Sequence, residues 1–141
     1  MENEVNIKLY CATVDCRDPS ALAAFYAKLL HWDIAFHDED WACIGAPGTA
    51  QGAYPGILFQ RNPAYEPPVW PDQPGAQQQM THLDFAVSDL EAAEQYAVQC
   101  GASPAARQFS DGWTVMLDPA GHPFCLCGMK EVMESPQFGL L

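Results

Sequence analysis

Apolar and polar residues alternate through Tyr10–Cys16 and again through His82–Val87. In the first run Tyr10, Ala12, Val14 and Cys16 share one face of an extended strand, and Cys11, Thr13 and Asp15 share the other. In the second, Leu83, Phe85 and Val87 form the apolar face and leave His82, Asp84 and Ala86 opposite. After each run the period changes. Leu22, Phe25, Tyr26, Leu29 and Leu30 recur at helical spacing, as do Leu90, Ala93, Ala97 and Cys100. Asp18 is placed to cap the first helix, with Pro19 at the first helical position, where a missing N–H costs nothing. Ser88 and Glu91 have capping-box spacing at the second, with Asp89 as an alternative cap, and Gly101 is placed to end it.

Asp18 and Asp89 are 71 positions apart, and the same offset sets Cys11 on His82, Thr13 on Asp84 and Asp15 on Ala86. Short strand-like runs follow each helix: Asp33–His37, Trp41–Gly45 and Gly56–Arg61 in the first half, Ala105–Phe109, Gly112–Asp118 and Pro123–Cys127 in the second. Turn-forming residues separate them, as in DED before Trp41 and DPAG before His122. Each half therefore reads β-α-β-β-β. A repeat of this size is two copies of one supersecondary unit, neither able to bury its sheet alone. The expected fold is α+β: two tandem βαβββ modules, residues 7–61 and 81–128, in one domain over 1–128. Residues 62–80, with Pro63, Pro67, Pro68, Pro71 and Pro74, read as an extended linker, since such proline density excludes helix and central strand. The tail from 129 to 141 is weakly patterned, with a short helical turn near Glu131–Glu134.

Composition narrows the partners. The formal net charge is −12 and no basic stretch reverses it, which repels nucleic acid and anionic membrane surfaces. The N-terminus MENEVNIKLY lacks an apolar signal core, and no apolar run approaches the roughly 20 residues of a membrane span. A cytoplasmic location is expected. The six cysteines are then expected as reduced thiols, and the absence of any CxxC pair argues against a zinc ribbon.

DPSALAAFYAKLLHW in the first half, HLDFAVSDLEAAE and DPAGHPFCL in the second, and PPVWP between them resemble the vicinal oxygen chelate superfamily of glyoxalase I, bleomycin-resistance proteins and extradiol dioxygenases. Within it they are most similar to the glyoxalase-like subfamily. The resemblance covers about Leu9–Gly128. It implies a cup-shaped curved sheet holding a small molecule, and a homodimer. His31 departs from the pattern, which commonly has Gly there. Metal-dependent members carry ligands on the first and last strand of each module, commonly a His or Gln and then a Glu. The matching positions here are Cys11 and Gln60, then His82 and Cys125. Two sulfurs, an imidazole and an amide suit soft ions better than an oxygen-ligated Fe²⁺, Mn²⁺ or Ni²⁺. A cup without metal or other cofactor is the expectation, with a divalent metal the disfavoured alternative.

The strand alternation sends Cys125 and Cys127 to the face opposite Phe124 and Leu126. Expected ligand-binding residues are Thr13, Trp41, Gln60, Trp70, His82, Asp84, Trp113 and Cys125, with Tyr54 as a further candidate. An Asp among aromatic walls suits a cationic or aromatic small molecule. Trp70 stands in the proline-rich stretch, where it either seals a hydrophobic seam or stacks on ligand. The alternative function is an enzyme, a lyase, isomerase or glyoxalase-like activity, using His82, Asp84 or Cys125 as acid, base or nucleophile. A cup plugged by its own side chains is the third reading. Asp118 is read as a turn former.

Overall fold

The computed structural model describes residues 5–48 and 55–136. The chain divides into two compact units, Met1–Tyr65 and Glu66–Leu141. The first runs β1 (Cys11–Cys16), α1 (Pro19–Leu30), β2 (Asp33–His37), β3 (Trp41–Gly45) and β4 (Gly56–Arg61). The second runs β5 (Leu83–Val87), α2 (Leu90–Cys100), β6 (Ser103–Pro104), β7 (Trp113–Leu117), β8 (Pro123–Gly128) and α3 (Lys130–Met133). Each unit holds one open four-stranded sheet, in the order β1-β4-β3-β2 and β5-β8-β7-β6. The first and last strands of each unit pair parallel, and the remaining pairs are antiparallel. The same topology twice, with α1 and α2 starting 71 positions apart, is the repeat read from the alternation.

The helix ends follow their capping residues. The Asp18 carboxylate accepts from Ala21 N at 3.1 Å, and the Asp89 carboxylate from Ala92 N at 3.1 Å. Each satisfies an N–H that the helix itself leaves without a partner. At the other end of α1, His31 sits in the left-handed region at φ 56°, the conformation that the related pattern fills with Gly. Gly101 at φ 120° ends α2.

One face of each sheet carries its helix. In the first unit Ala42, Ile44, Ile57 and Phe59 are buried against Leu22, Phe25 and Tyr26, and the Tyr26 and Phe59 rings stack 5.7 Å apart. In the second, Met116, Phe124 and Leu126 are buried on the α2 side with Ala97, and Phe85 meets Phe124 edge-on at 5.8 Å. Burying each such side chain contributes about 1.5–3 kcal/mol. These are the faces that the alternation assigned to the helices.

The second unit departs from expectation at its edge. The run Ala105–Phe109 is not a strand: Ser103–Pro104 pairs with β7, and Ala105 adds one backbone bond, from its N to Val115 O at 2.9 Å. Proline 104 has no N–H for a ladder. Gln108 supplies the missing pairing from its side chain. Its Nε2 donates to Ala105 O and Val115 O at 2.9 Å each, and its Oε1 accepts from Val115 N at 2.8 Å. The amide thus stands in for a strand along β7.

Residues 62–80 form neither helix nor strand, as the prolines require. Their backbone closes on itself where Val69 N donates to Gln77 O at 2.9 Å. Before β8, the buried Asp118 carboxylate accepts from Ala120 N and His122 N, the turn-forming role expected of it.

Within that turn Gly121 has φ +88°, and a Cβ there would lie 2.9 Å from Pro67 Cβ. Gly75 shares the positive φ but faces open space. Gly121→Ala is therefore expected to cost about 2–3 kcal/mol in urea unfolding and Gly75→Ala about 1 kcal/mol. Equal costs at the two sites would contradict the close approach of the turn to Pro67.

Candidate functional site

The face of the second sheet away from α2 gathers the polar chemistry. Strand β5 sets Asp84 level with Cys125 on β8, and Val115 on β7 lies level with Cys125 from the other side. One step along, Ala86, Cys127 and Trp113 form the next row. His82 precedes β5 on the same side. His82, Asp84, Trp113, Cys125 and Cys127 line a pocket of about 220 Å³. Of the expected binding residues, His82, Asp84, Trp113 and Cys125 are thus brought together. Cys127 joins them, as its two-residue spacing from Cys125 allows.

Asp84 is the hub. His82 Nε2 lies 3.1 Å from Asp84 Oδ1, and the two side chains are 38% and 60% exposed. The Cys125 thiol donates a hydrogen bond to the same carboxylate. Asp84 is therefore neither buried nor alone. It has two internal donors and an open side. Cys125 itself is only 7% exposed. Burial first, then the Asp84 hydrogen bond and charge, then Cys127, push its thiol from 9.0 up to about 12. Burial and then Asp84 also raise Cys127. Both thiols are thus neutral near pH 7, which removes Cys125 as a resting nucleophile.

Trp70 lies beside this pocket rather than among its lining. It packs on the buried cluster of Ala105, Val115 and Cys125, together with Trp113 and Cys127. Phe109 meets it edge-on at 6.0 Å, and Arg107 lies over Phe109 at 5.1 Å. Its indole N–H is buried without an acceptor among the described residues. Trp70 therefore seals apolar surface within its own unit.

Thr13, Trp41 and Gln60 stand on the matching face of the first sheet. Trp41 lies level with Gln60, and Gln60 with Asp15. Thr13 is exposed, Trp41 is 38% exposed and Gln60 half-buried. Tyr54 lies outside the described residues.

Metal-dependent members of the resembled superfamily hold a divalent metal, and the residues here can be tested against it. His82, Asp84 and Cys125 each offer a ligand atom, all within 4.8 Å of one another. The donor set disagrees: a buried thiol, Cys125, stands where metal-dependent members commonly carry a carboxylate. The positions in the first unit disagree as well. Cys11 is level with Gly56, four residues before Gln60, which separates the two by about 13 Å along the strands. The register also makes Leu58, level with Thr13, the counterpart of Cys125, level with Asp84; Gln60 corresponds to Cys127. The oxygen-rich divalent site of metal-dependent members does not fit these residues.

Comparison with known proteins identifies the family. The family model described as glyoxalase-like domain matches residues 11–127. A glyoxalase/bleomycin resistance protein/dioxygenase family enzyme from Burkholderia phytofirmans is 19% identical with a TM-score of 0.59, over 85% of this chain and 97% of that one. The trypanothione-dependent glyoxalase I of Leishmania major is 13% identical with a TM-score of 0.61, over 92% of this chain and 91% of that one. The bleomycin-binding protein of Streptomyces verticillus, in complex with copper(II)-bleomycin, is 16% identical with a TM-score of 0.53, over 89% of this chain and 99% of that one. No curated protein matches the chain by sequence.

The raised Cys125 thiol makes two expectations. In the native protein at pH 8, Cys125 should alkylate far more slowly than a free cysteine, because it holds roughly a thousandfold less thiolate. The unfolded thiol ionises near 9.0 and the folded one near 12, so the stabilisation is complete below pH 9 and is lost as pH rises from 9 to 12. Cys125→Ala should flatten the fall in stability over that window. Peptide-mapped iodoacetamide labelling checks the first, and equal rates at Cys125 in native and unfolded protein would contradict it.

Proposed function

The chain belongs to the glyoxalase-like domain family, and on that premise we propose that it binds a small cationic or aromatic molecule at the Asp84 pocket, without a resident metal. One observation carries the reading: the carboxylate of Asp84 stays 60% exposed at the open side of a pocket walled by Trp113 and floored by neutral thiols. None of the five lining residues is Lys or Arg. The net charge of −12 adds long-range attraction for cations. The half-buried indole of Trp113 offers a face on which a flat or cationic group can stack. Solved relatives that bind bleomycin support a small molecule as the partner. A cytoplasmic homodimer completes the reading, on the sequence resemblance.

Binding is expected to proceed by steps that the chain's own residues supply. Trp113 provides apolar contact, Asp84 fixes the charged end, and His82 keeps Asp84 oriented through the 3.1 Å contact. Thr13, Gln60 and Trp41 are retained as candidate contacts on the first module's equivalent face.

The His82–Asp84 pair also favours a second reading. A carboxylate bonded to Nε2 fixes the tautomer and strengthens Nδ1 as a proton acceptor. His82 could then take a proton from carbon next to a carbonyl, as a lyase or isomerase requires. Exchange of such a proton in dihydroxyacetone for deuterium, followed by NMR and abolished in His82→Gln, would establish this activity over plain binding.

For the leading reading, a cationic aromatic probe such as N-methylquinolinium should quench tryptophan fluorescence saturably. It should bind about 3–30-fold more tightly than naphthalene sulfonate, from roughly 0.5–2 kcal/mol of cation–π and charge preference. Asp84→Asn should erase the preference. Equal binding of the two probes would end the acidic-pocket reading.

Elemental analysis of protein purified without added metal should give well under one equivalent of Zn, Fe, Ni and Mn together. One tightly held equivalent, lost in His82→Ala, would overturn the metal-free assignment.

A further inference from the structure

The face of the second sheet away from α2 has an open end and a covered end. Asp84, Cys125 and Val115 form one row across β5, β8 and β7, and Ala105 extends it through its bond to Val115 O. Exposure falls along that row. The Asp84 side chain is 60% exposed, Cys125 7% and Val115 1%. Val115 and Cys125 face away from α2, so the helix does not bury them. Trp70 packs on Ala105, Val115 and Cys125 and covers that end of the row.

Trp70 is held there by its own segment. Pro67, Pro68 and Pro71 bracket it and restrict the backbone on both sides. Val69 N donates to Gln77 O at 2.9 Å, which closes the loop beside it, and Phe109 meets the indole edge-on at 6.0 Å. The indole N–H is buried and has no acceptor among the described residues. What tryptophan supplies at this position is therefore bulk, not a hydrogen bond.

The space left over is small. The Asp84 pocket holds about 220 Å³, below the roughly 300–1,000 Å³ of sites that take drug-sized ligands. Two strand spacings, about 10 Å, separate Asp84 from Val115, and Trp70 stands on the far part of that path. A flat molecule anchored at Asp84 can lie across β8 with one or two fused rings, and a third meets the indole.

We propose that Trp70 is a specificity-determining residue of the Asp84 pocket, limiting its ligand to about two fused rings by occupying the sheet face beyond Cys125. The proposal rests on the Asp84 pocket as the binding site, but not on the charge of what binds there. Trp70 acts by exclusion, so shortening it should admit larger ligands rather than weaken binding in general.

The test is isothermal titration calorimetry at pH 8 with two pairs of probes, cationic N-methylquinolinium and N-methylacridinium, and neutral quinoline and acridine. A third ring adds apolar area and, without a barrier, should tighten binding. The native chain should reverse that order. It should bind each tricycle at least about 10-fold more weakly than its bicycle, since a single surplus methylene can cost a fitted pocket roughly 10–200-fold. Trp70→Ala should tighten both tricycles by at least about 10-fold and leave both bicycles within about threefold. A Trp70 that only supported the fold would instead weaken all four probes alike. Circular dichroism confirms folding of each variant. If Trp70→Ala does not fold, the milder Trp70→Leu should move the tricycles in the same direction, and the native order needs no variant. Tricycles that outbind bicycles in the native chain, or that gain nothing in the folded variants, would overturn the size limit while leaving a charge preference intact. Equal binding of cationic and neutral probes, with the bicycles still preferred, would instead end the acidic-pocket reading and support the size limit. Absence of saturable binding by all four would end both.

Discussion

The parallel pairing of the first and last strand of each module is the constraint on which the rest depends. In the second module it sets Asp84 level with Cys125 and Ala86 level with Cys127. The side-chain period of a strand is two, so a slip of one residue would send Cys125 under α2 and bring Phe124 to the pocket. Phe124 and Leu126, both buried against the helix side, hold the register by their hydrophobic burial. The apolar face thus decides where the polar face stands. Asp84, His82 and the thiol meet because the Phe124 and Leu126 side chains on the other side cannot be exposed cheaply.

The pocket floor is kept apolar by a device outside the sheet ladders. Gln108 bonds the backbone of β7 at Val115 and holds Ala105 against it, and Trp70 lies across that patch. Trp70 accepts an unsatisfied indole N–H to do so, which costs about 1–3 kcal/mol against the larger gain from burying the ring. Cys125 therefore faces low-polarity surface on one side and a carboxylate on the other. Both disfavour its thiolate, which is why the thiol acts as a hydrogen-bond donor.

Most of the fold was legible because each element announced itself through local chemistry. The alternation in Tyr10–Cys16 and His82–Val87, the cap at Asp18 and the turn at Asp118 are all local signals, and each stands where the pattern put it, while the second helix takes the alternative cap, Asp89, over the Ser88–Glu91 capping box. The strand expected at Ala105–Phe109 failed because, past one backbone bond at Ala105, its residues form a loop whose pairing with β7 comes from the Gln108 side chain. No periodicity encodes that. The facing of Asp84, Cys125 and His82 followed from alternation alone. Their mutual bonding did not, since it depends on the β5–β8 register. The same register corrects the first module, where Leu58 takes the place that sequence spacing gave to Gln60.

The two halves show how one scaffold separates two chemistries. Cys11 in the first module corresponds to His82 in the second, Thr13 to Asp84, Leu58 to Cys125 and Cys43 to Val115. Each module keeps a buried thiol near the middle of its sheet, but on different strands and beside different neighbours. Cys43 is pushed up to about 11 by burial and then by Cys11, while Cys125 goes to about 12 by burial and then by Asp84. The shifts share a direction, yet their consequences differ. A thiol beside a carboxylate has a partner already charged, and its own proton is the bond between them. Strand position alone thus decides which neighbour stands beside each buried thiol, within sheets of identical topology.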